Sequence, residues 1–136
     1  MTDRELFRKA VEMTEFSYAP FSKFRVGAAL LGKVGVVYTG CNVENSSFGG
    51  TICAERTAFL KAISEGCREF EKIAVVARPV PAEGEEAETV EAWPCGICRQ
   101  FMKEFCDDDF LIITGSGPDT MRTMTMTEIL PEGFRL

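Results

Sequence analysis

Apolar and polar positions alternate between helical and strand spacing along the chain. In residues 3–15, Leu6, Phe7, Ala10, Val11 and Thr14 fall on one face of a helix, with Thr2 or Asp3 placed to cap it. Tyr18, Ala19 and Pro20 end that pattern, because the residue before a proline is pushed out of helical backbone. Residues 26–31 and 34–43, rich in Val, Leu and Tyr and flanked by glycines, predict a β-hairpin across Gly32 and Lys33. Helical spacing returns in residues 53–65 through Ala54, Ala58, Phe59, Ala62 and Ile63, and Gly66 stops it. Residues 73–77 are unbroken apolar sequence, consistent with a buried strand. Residues 78–93 hold Pro79, Pro81, Gly84 and five glutamates, and read as an extended loop. A third helix is predicted over 96–105, with Ile97, Phe101 and Phe105 four residues apart. Residues 111–114 read as a short buried strand and 121–126 as an alternating one. Thr127 then opens a last short helix that Pro131 ends. Strands interleaved with helices give an α/β class.

Composition narrows the picture. A chain of 136 residues, 46% hydrophobic, fits one domain, 1–136, with a real core. The net charge of −6, with acidic residues gathered after residue 82 and no basic cluster, argues against a nucleic-acid partner and favours a small substrate. The apolar runs are far too short for a membrane span. No apolar signal region opens the sequence, so a cytoplasmic location is the expectation. In that setting the six cysteines read as metal ligands and free thiols rather than three disulfides. Histidine is absent altogether. That excludes serine or cysteine hydrolysis with a histidine base and zinc sites of the H-E-x-x-H kind. Acid–base work falls to a carboxylate, a lysine or a metal-bound water.

Two stretches carry the candidate chemistry. Thr51-Ile52-Cys53-Ala54-Glu55-Arg56 and Pro94-Cys95-Gly96-Ile97-Cys98-Arg99-Gln100 each open a helical pattern. Partial positive charge at a helix N-terminus favours thiolate, the form that binds zinc. Three thiolates leave a four-coordinate Zn2+ with one open position, as catalytic sites do. Glu55 is near enough to act there without being a ligand. Zinc with three thiolates carries a net negative charge, which weakens it as a Lewis acid. Arg56 is placed to hydrogen-bond sulfur and offset that charge. At the end of the second predicted strand, Asn42 and Glu44 alternate onto one face. Together they suit a pair of sugar hydroxyls, one side chain accepting and the other donating or accepting.

The two cysteine motifs resemble those of the zinc-dependent nucleoside deaminases, and most closely the small cytidine deaminases. Their zinc-plus-glutamate pattern, including the three-cysteine form, is a known signature of base deamination. Ser17-Tyr18-Ala19-Pro20-Phe21-Ser22-Lys23-Phe24, Val26-Gly27-Ala28-Ala29-Leu30, Gly40-Cys41-Asn42-Val43-Glu44-Asn45, Ile129-Leu130-Pro131 and Phe134 are similar to family segments in family order. The resemblance implies a three-layer α/β/α sandwich with a mixed five-stranded sheet. It implies hydrolytic deamination of cytidine and 2′-deoxycytidine, with one Zn2+ per subunit held by Cys53, Cys95 and Cys98 and with Glu55 catalytic. Phe24 would lie against the pyrimidine, Asn42 and Glu44 would bind the ribose, and Ala54 would also touch substrate. Phe134 would reach another subunit's site in a homotetramer.

Three features depart from the family pattern. Arg25 replaces a commonly uncharged residue and is expected to face solvent or a neighbouring subunit. Phe48 stands where relatives usually carry tyrosine. The acidic stretch over 82–92 lengthens a loop that is usually a few residues long, either as a solvated insertion or as a lid or subunit contact anchored by Trp93. Three competing readings remain on sequence grounds: a deaminase of another cytosine nucleoside such as blasticidin S, a structural zinc module closed by a fourth cysteine among Cys41, Cys67 and Cys106, and a Cys95–Cys98 redox pair.

Overall fold

The computed structural model describes residues 1–136. Helix α1 (Asp3–Met13) starts at a capping box: Thr2 accepts from the Glu5 backbone, and the Glu5 carboxylate accepts from the Thr2 N–H. After a 3-10 turn come β1 (Phe24–Gly32) and β2 (Val37–Cys41), then α2 (Ala54–Ser64), β3 (Phe70–Pro79), β4 (Val90–Glu91), α3 (Gly96–Phe105), β5 (Leu111–Gly115), β6 (Met121–Thr125) and α4 (Met126–Ile129). The hairpin turn falls over residues 33–36 rather than at Gly32 and Lys33, because Gly35 takes a φ of 91° and the Gly32 N–H closes onto the Val36 carbonyl. The last helix begins one residue before Thr127, since Thr125 and Glu128 form a second capping box.

The strand order is β2-β1-β3-β5-β6, with β4 paired to β3 off that path. All pairs are antiparallel except β3 with β5. A parallel pair needs a crossover, and α3 lies within it. The sheet therefore has six strands instead of five. The sixth lies in the segment read as loop. β5 pairs with β3 only along Lys72, Ala74 and the residue between them. Val76 and Ala77 are left with open backbone groups on that side, and Glu91 and Val90 pair there. The acidic composition hid this strand, because two residues of pairing leave almost no periodic signal.

The sheet is covered on both faces, as the three-layer reading implied. On one face Leu6, Phe7 and Ala10 of α1 pack with Ala29, Leu31, Ala74, Val76 and Ile113. On the other, Ala54, Ala58, Phe59 and Ala62 of α2, Met102 of α3, and Met126 and Ile129 of α4 pack with Ala28, Leu30, Ile73, Val75 and Ile112. Successive strand residues thus feed opposite cores, which is why β3 reads as an uninterrupted apolar run.

Gly40 sets the height of α2 above the sheet. A Cβ at Gly40 would lie 2.6 Å from the Ala58 nitrogen and also meet the Ala54 carbonyl. The missing side chain lets the first turns of α2, which carry the chemistry, rest directly on β2. Gly40→Ala should therefore force α2 outward and destabilise the fold by about 1–3 kcal/mol, the usual cost of overpacking. A lower urea midpoint with an unchanged slope would register it. An unchanged midpoint would mean that α2 does not depend on this close approach.

Candidate active site

Cys53 is the N-cap of α2 and Cys95 the N-cap of α3, with Cys98 in the first turn of α3. Both helices present these ends to the same place. The three sulfurs all lie within 4.8 Å of one another, and Cys53 Sγ is 3.7 Å from Cys95 Sγ. The chain returns to this point because residues 42–44 are clamped on two sides. Tyr18 N–H donates to the Asn42 carbonyl and Glu44 N–H to the Tyr18 carbonyl, while Val43 and Ile52 exchange backbone hydrogen bonds. Thr57 Oγ1 donates to the Cys41 carbonyl at 2.9 Å, tying α2 to the end of β2.

The electrostatics follow the geometry. The Cys53 thiol is drawn down to about 5, chiefly by its hydrogen bond with Cys98, with Arg56 and Cys95 adding to the effect. The Cys98 thiol is pushed upward, first by that same hydrogen bond and then by burial. Of this hydrogen-bonded pair, Cys53 is the one that ionises first. Arg56 Nη2 donates to Cys53 Sγ at 3.6 Å and to the Thr51 carbonyl at 3.2 Å. Glu55 is buried, 4% exposed, and burial pushes its carboxyl up to about 7.

Two of the sulfurs and Glu55 meet in one cleft of about 480 Å3. Phe24, Asn42, Glu44, Cys53, Ala54, Glu55 and Cys95 all line it, while Cys98 lies behind, fully buried. Asn42 is largely engaged already. Its Oδ1 accepts from Val26 N–H at 2.9 Å and from the Ser17 hydroxyl, and its Nδ2 donates to the Phe24 carbonyl at 2.8 Å. One amide N–H is left over. Glu44 Oε1 accepts from the Phe21 and Ser22 backbones at 2.9 and 3.1 Å, and Oε2 from the Ser22 hydroxyl at 2.5 Å. The Ser22 hydroxyl, followed by these backbone groups, holds the carboxyl below the usual range.

Phe134 does not join these residues. It is 62% exposed, with its carbonyl accepting from Gln100 Nε2, and it is absent from the cleft wall. Arg25 does not simply face solvent either. It is half-buried, and its Nε donates to the Arg78 carbonyl at 2.9 Å across the β1–β3 pair. Phe48 lies on the surface with its ring edge against Phe21 at 5.4 Å between centroids.

A family model for the cytidine and deoxycytidylate deaminase zinc-binding region matches residues 1–114. The chain is 46% identical over 136 residues to the cytidine deaminase of Halalkalibacterium halodurans, covering 97% of this chain and 94% of that one. It is 31% identical to the blasticidin-S deaminase of Bacillus cereus, covering 95% and 89%. The crystal structure of cytidine deaminase from Burkholderia pseudomallei superposes with a TM-score of 0.86 at 38% identity, covering 98% of this chain and all of that one. This chain belongs to the cytidine and deoxycytidylate deaminase family.

As a family member it is a zinc enzyme, and its sulfurs fit the ion. Tetrahedral zinc with Zn–S bonds of about 2.3 Å separates sulfurs by about 3.8 Å, against 3.7 Å for the Cys53–Cys95 pair. Arg56 Nε is buried without a hydrogen-bond partner, a cationic group that suits sulfur held as thiolate. No fourth cysteine closes the site. Cys41 donates to the Phe16 carbonyl, Cys67 to the Glu69 carbonyl, and Cys106 is buried outside the sulfur cluster. A structural zinc module needs that fourth ligand, whereas three sulfurs would leave an ion held here one open position.

Several residues of this deaminase site escaped the sequence reading. Ser17 and Ser22 orient Asn42 and Glu44; both lie in the segment similar to the family, but no local pattern assigned them that role. Arg99 bonds the Pro94 and Ile129 carbonyls, both at 2.7 Å, locking α3 to α4. Its place between Cys98 and Gln100 was the one available signal. Metal analysis should return one Zn2+ per chain, and Cys98→Ser should lose the ion even where far-ultraviolet circular dichroism shows a folded chain. Full zinc retention in that variant would contradict the three-sulfur site.

Proposed function

We propose that this deaminase hydrolyses cytidine and 2′-deoxycytidine to uridine and 2′-deoxyuridine, releasing ammonia in pyrimidine salvage. The observation that carries the reading is Glu55, a buried carboxyl beside three converging sulfurs at the end of a nucleoside-sized cleft. Near full-length identity of 46% to a cytidine deaminase supports the substrate. The lower identity to the blasticidin-S deaminase leaves that substrate as the weaker alternative.

Bound Zn2+ supplies Lewis-acid activation of water at the corner the cysteines leave open. Glu55 takes one proton from the attacking water and delivers it to the ring nitrogen next to the amino-bearing carbon. The C–O bond forms at that carbon. Glu55 then carries the remaining hydroxyl proton to the amino nitrogen, the C–N bond breaks, and ammonia leaves. One carboxyl acts as base and acid in turn, a role suited to its raised pKa of about 7. Arg56 holds Cys53 and so fixes one ligand of the ion.

Phe24 packs against the pyrimidine, and Ala54 closes the inner wall. The free amide N–H of Asn42 donates to one ribose hydroxyl, and Glu44 accepts from the other. The carboxylate keeps a lone pair beyond its three internal bonds. Phe134 completes the site of a neighbouring subunit in a homotetramer, in keeping with its exposed ring. No helix is long and apolar enough to cross a membrane, and we assign a cytoplasmic location with no nucleic-acid partner.

Glu55→Gln keeps its zinc and loses about 100- to 10,000-fold in turnover, the usual worth of a positioned acid–base group. The loss is read by ultraviolet monitoring of cytidine conversion beside metal analysis. Turnover near wild type in the zinc-loaded variant would remove Glu55 from the mechanism.

A further inference from the structure

The segment that departs most from the family pattern ends in the cleft wall. β4 returns along the open half of β3, and Ala92 N–H donates to Thr114 Oγ1 at 2.8 Å, a hydroxyl that is itself fully buried. This anchor carries Glu91 and Trp93 into the cleft. Trp93 is then braced from β6. The Arg122 guanidinium lies 5.6 Å over its ring, and Arg122 Nη1 donates to both Glu91 carboxylate oxygens at 3.1 and 3.2 Å. A cation over an indole, itself held by a carboxylate, braces the ring.

Trp93 precedes Cys95 by two residues and lines the same cleft as Cys53, Cys95 and Glu55. Asn42 and the Ser22–Glu44 pair, joined through the Phe24 backbone, form a separate hydrogen-bonded group, the one proposed to take the sugar. With the ribose on that group and the amino-bearing carbon at the sulfurs, what Trp93 meets is the base. The ring carbon next to the reacting carbon, C5, carries the nearest substituent position.

We infer that Trp93, set by Arg122 and Glu91, determines specificity by limiting what the pyrimidine can carry at C5. The inference rests on the deaminase reading above. Arg122 and Glu91 act through Trp93 as positioning residues. Wild type should then discriminate against 5-bromocytidine relative to cytidine. Trp93→Ala should raise the ratio of the two kcat/KM values by about 10-fold, within the range a hydrophobic wall gives for one small group. Arg122→Ala should move the same ratio part of the way, acting on KM more than on kcat, and Arg122→Lys should restore only part of the difference, because a lysine has no planar face to stack.

Trp93 is the only tryptophan in the chain, so its emission reports on the wall without turnover. Uridine titrated into zinc-loaded Glu55→Gln should change that emission in a saturable way. Cytidine turnover with an unchanged bromo ratio in both Trp93→Ala and Trp93→Phe would overturn the inference and leave the deaminase reading intact. An enzyme that never converts cytidine would sink the deaminase reading, and the inference that rests on it. A silent Trp93 in an active enzyme would count against the wall alone.

Discussion

Two helix N-termini aimed at one point are the constraint on which this structure depends. Each brings partial positive charge and unpaired backbone N–H groups, and each places cysteine where thiolate is favoured. A single helix could not present three sulfurs in an open triangle and also keep Glu55 buried beside them. The sheet supplies the second helix. Its one parallel pair, β3 with β5, requires a crossover, and α3 starts its first turn at the sulfur cluster. The Gly40 contact brings α2 down to meet it.

The cleft beyond the sulfurs is built from side chains with two duties. Asn42 holds Val26 and Phe24 in place, and Glu44 organises the loop at Phe21 and Ser22. Each has only one hydrogen-bonding position left for a ligand. That sharing makes this part of the cleft wall rigid in advance, so little ordering is left to the binding of a ligand there. Burial of Glu55 has the same logic at the reacting end. Exclusion from water raises the carboxyl toward neutrality, where it can both take and give a proton.

The inner site was legible in the sequence because its chemistry sits at fixed helical offsets. Cys53 with Glu55, and Cys95 with Cys98, occupy the cap and first-turn positions whatever the rest of the fold does. The two-sided core was equally legible, since unbroken apolar strands admit few other arrangements. What stayed hidden was tertiary. β4 exists only because β5 leaves part of β3 unpaired, and the glutamates around it read as solvated loop. Arg122 and Trp93 are far apart in sequence and meet through strand order alone. Arg25 was expected to face solvent or a neighbouring subunit; it is half-buried and finds carbonyl acceptors on β3, which no local pattern announces. Phe134 stands away from its own chain's cleft, and nothing local in the tail tells where its ring lies.

The account turns on an ion with three sulfur neighbours and one corner open to solvent. X-ray absorption at the zinc edge measures this directly on the protein as purified. The account predicts three sulfur scatterers at about 2.3 Å and one oxygen nearer the metal. Four sulfurs, or a nitrogen or carboxylate from the protein in the fourth place, would contradict it.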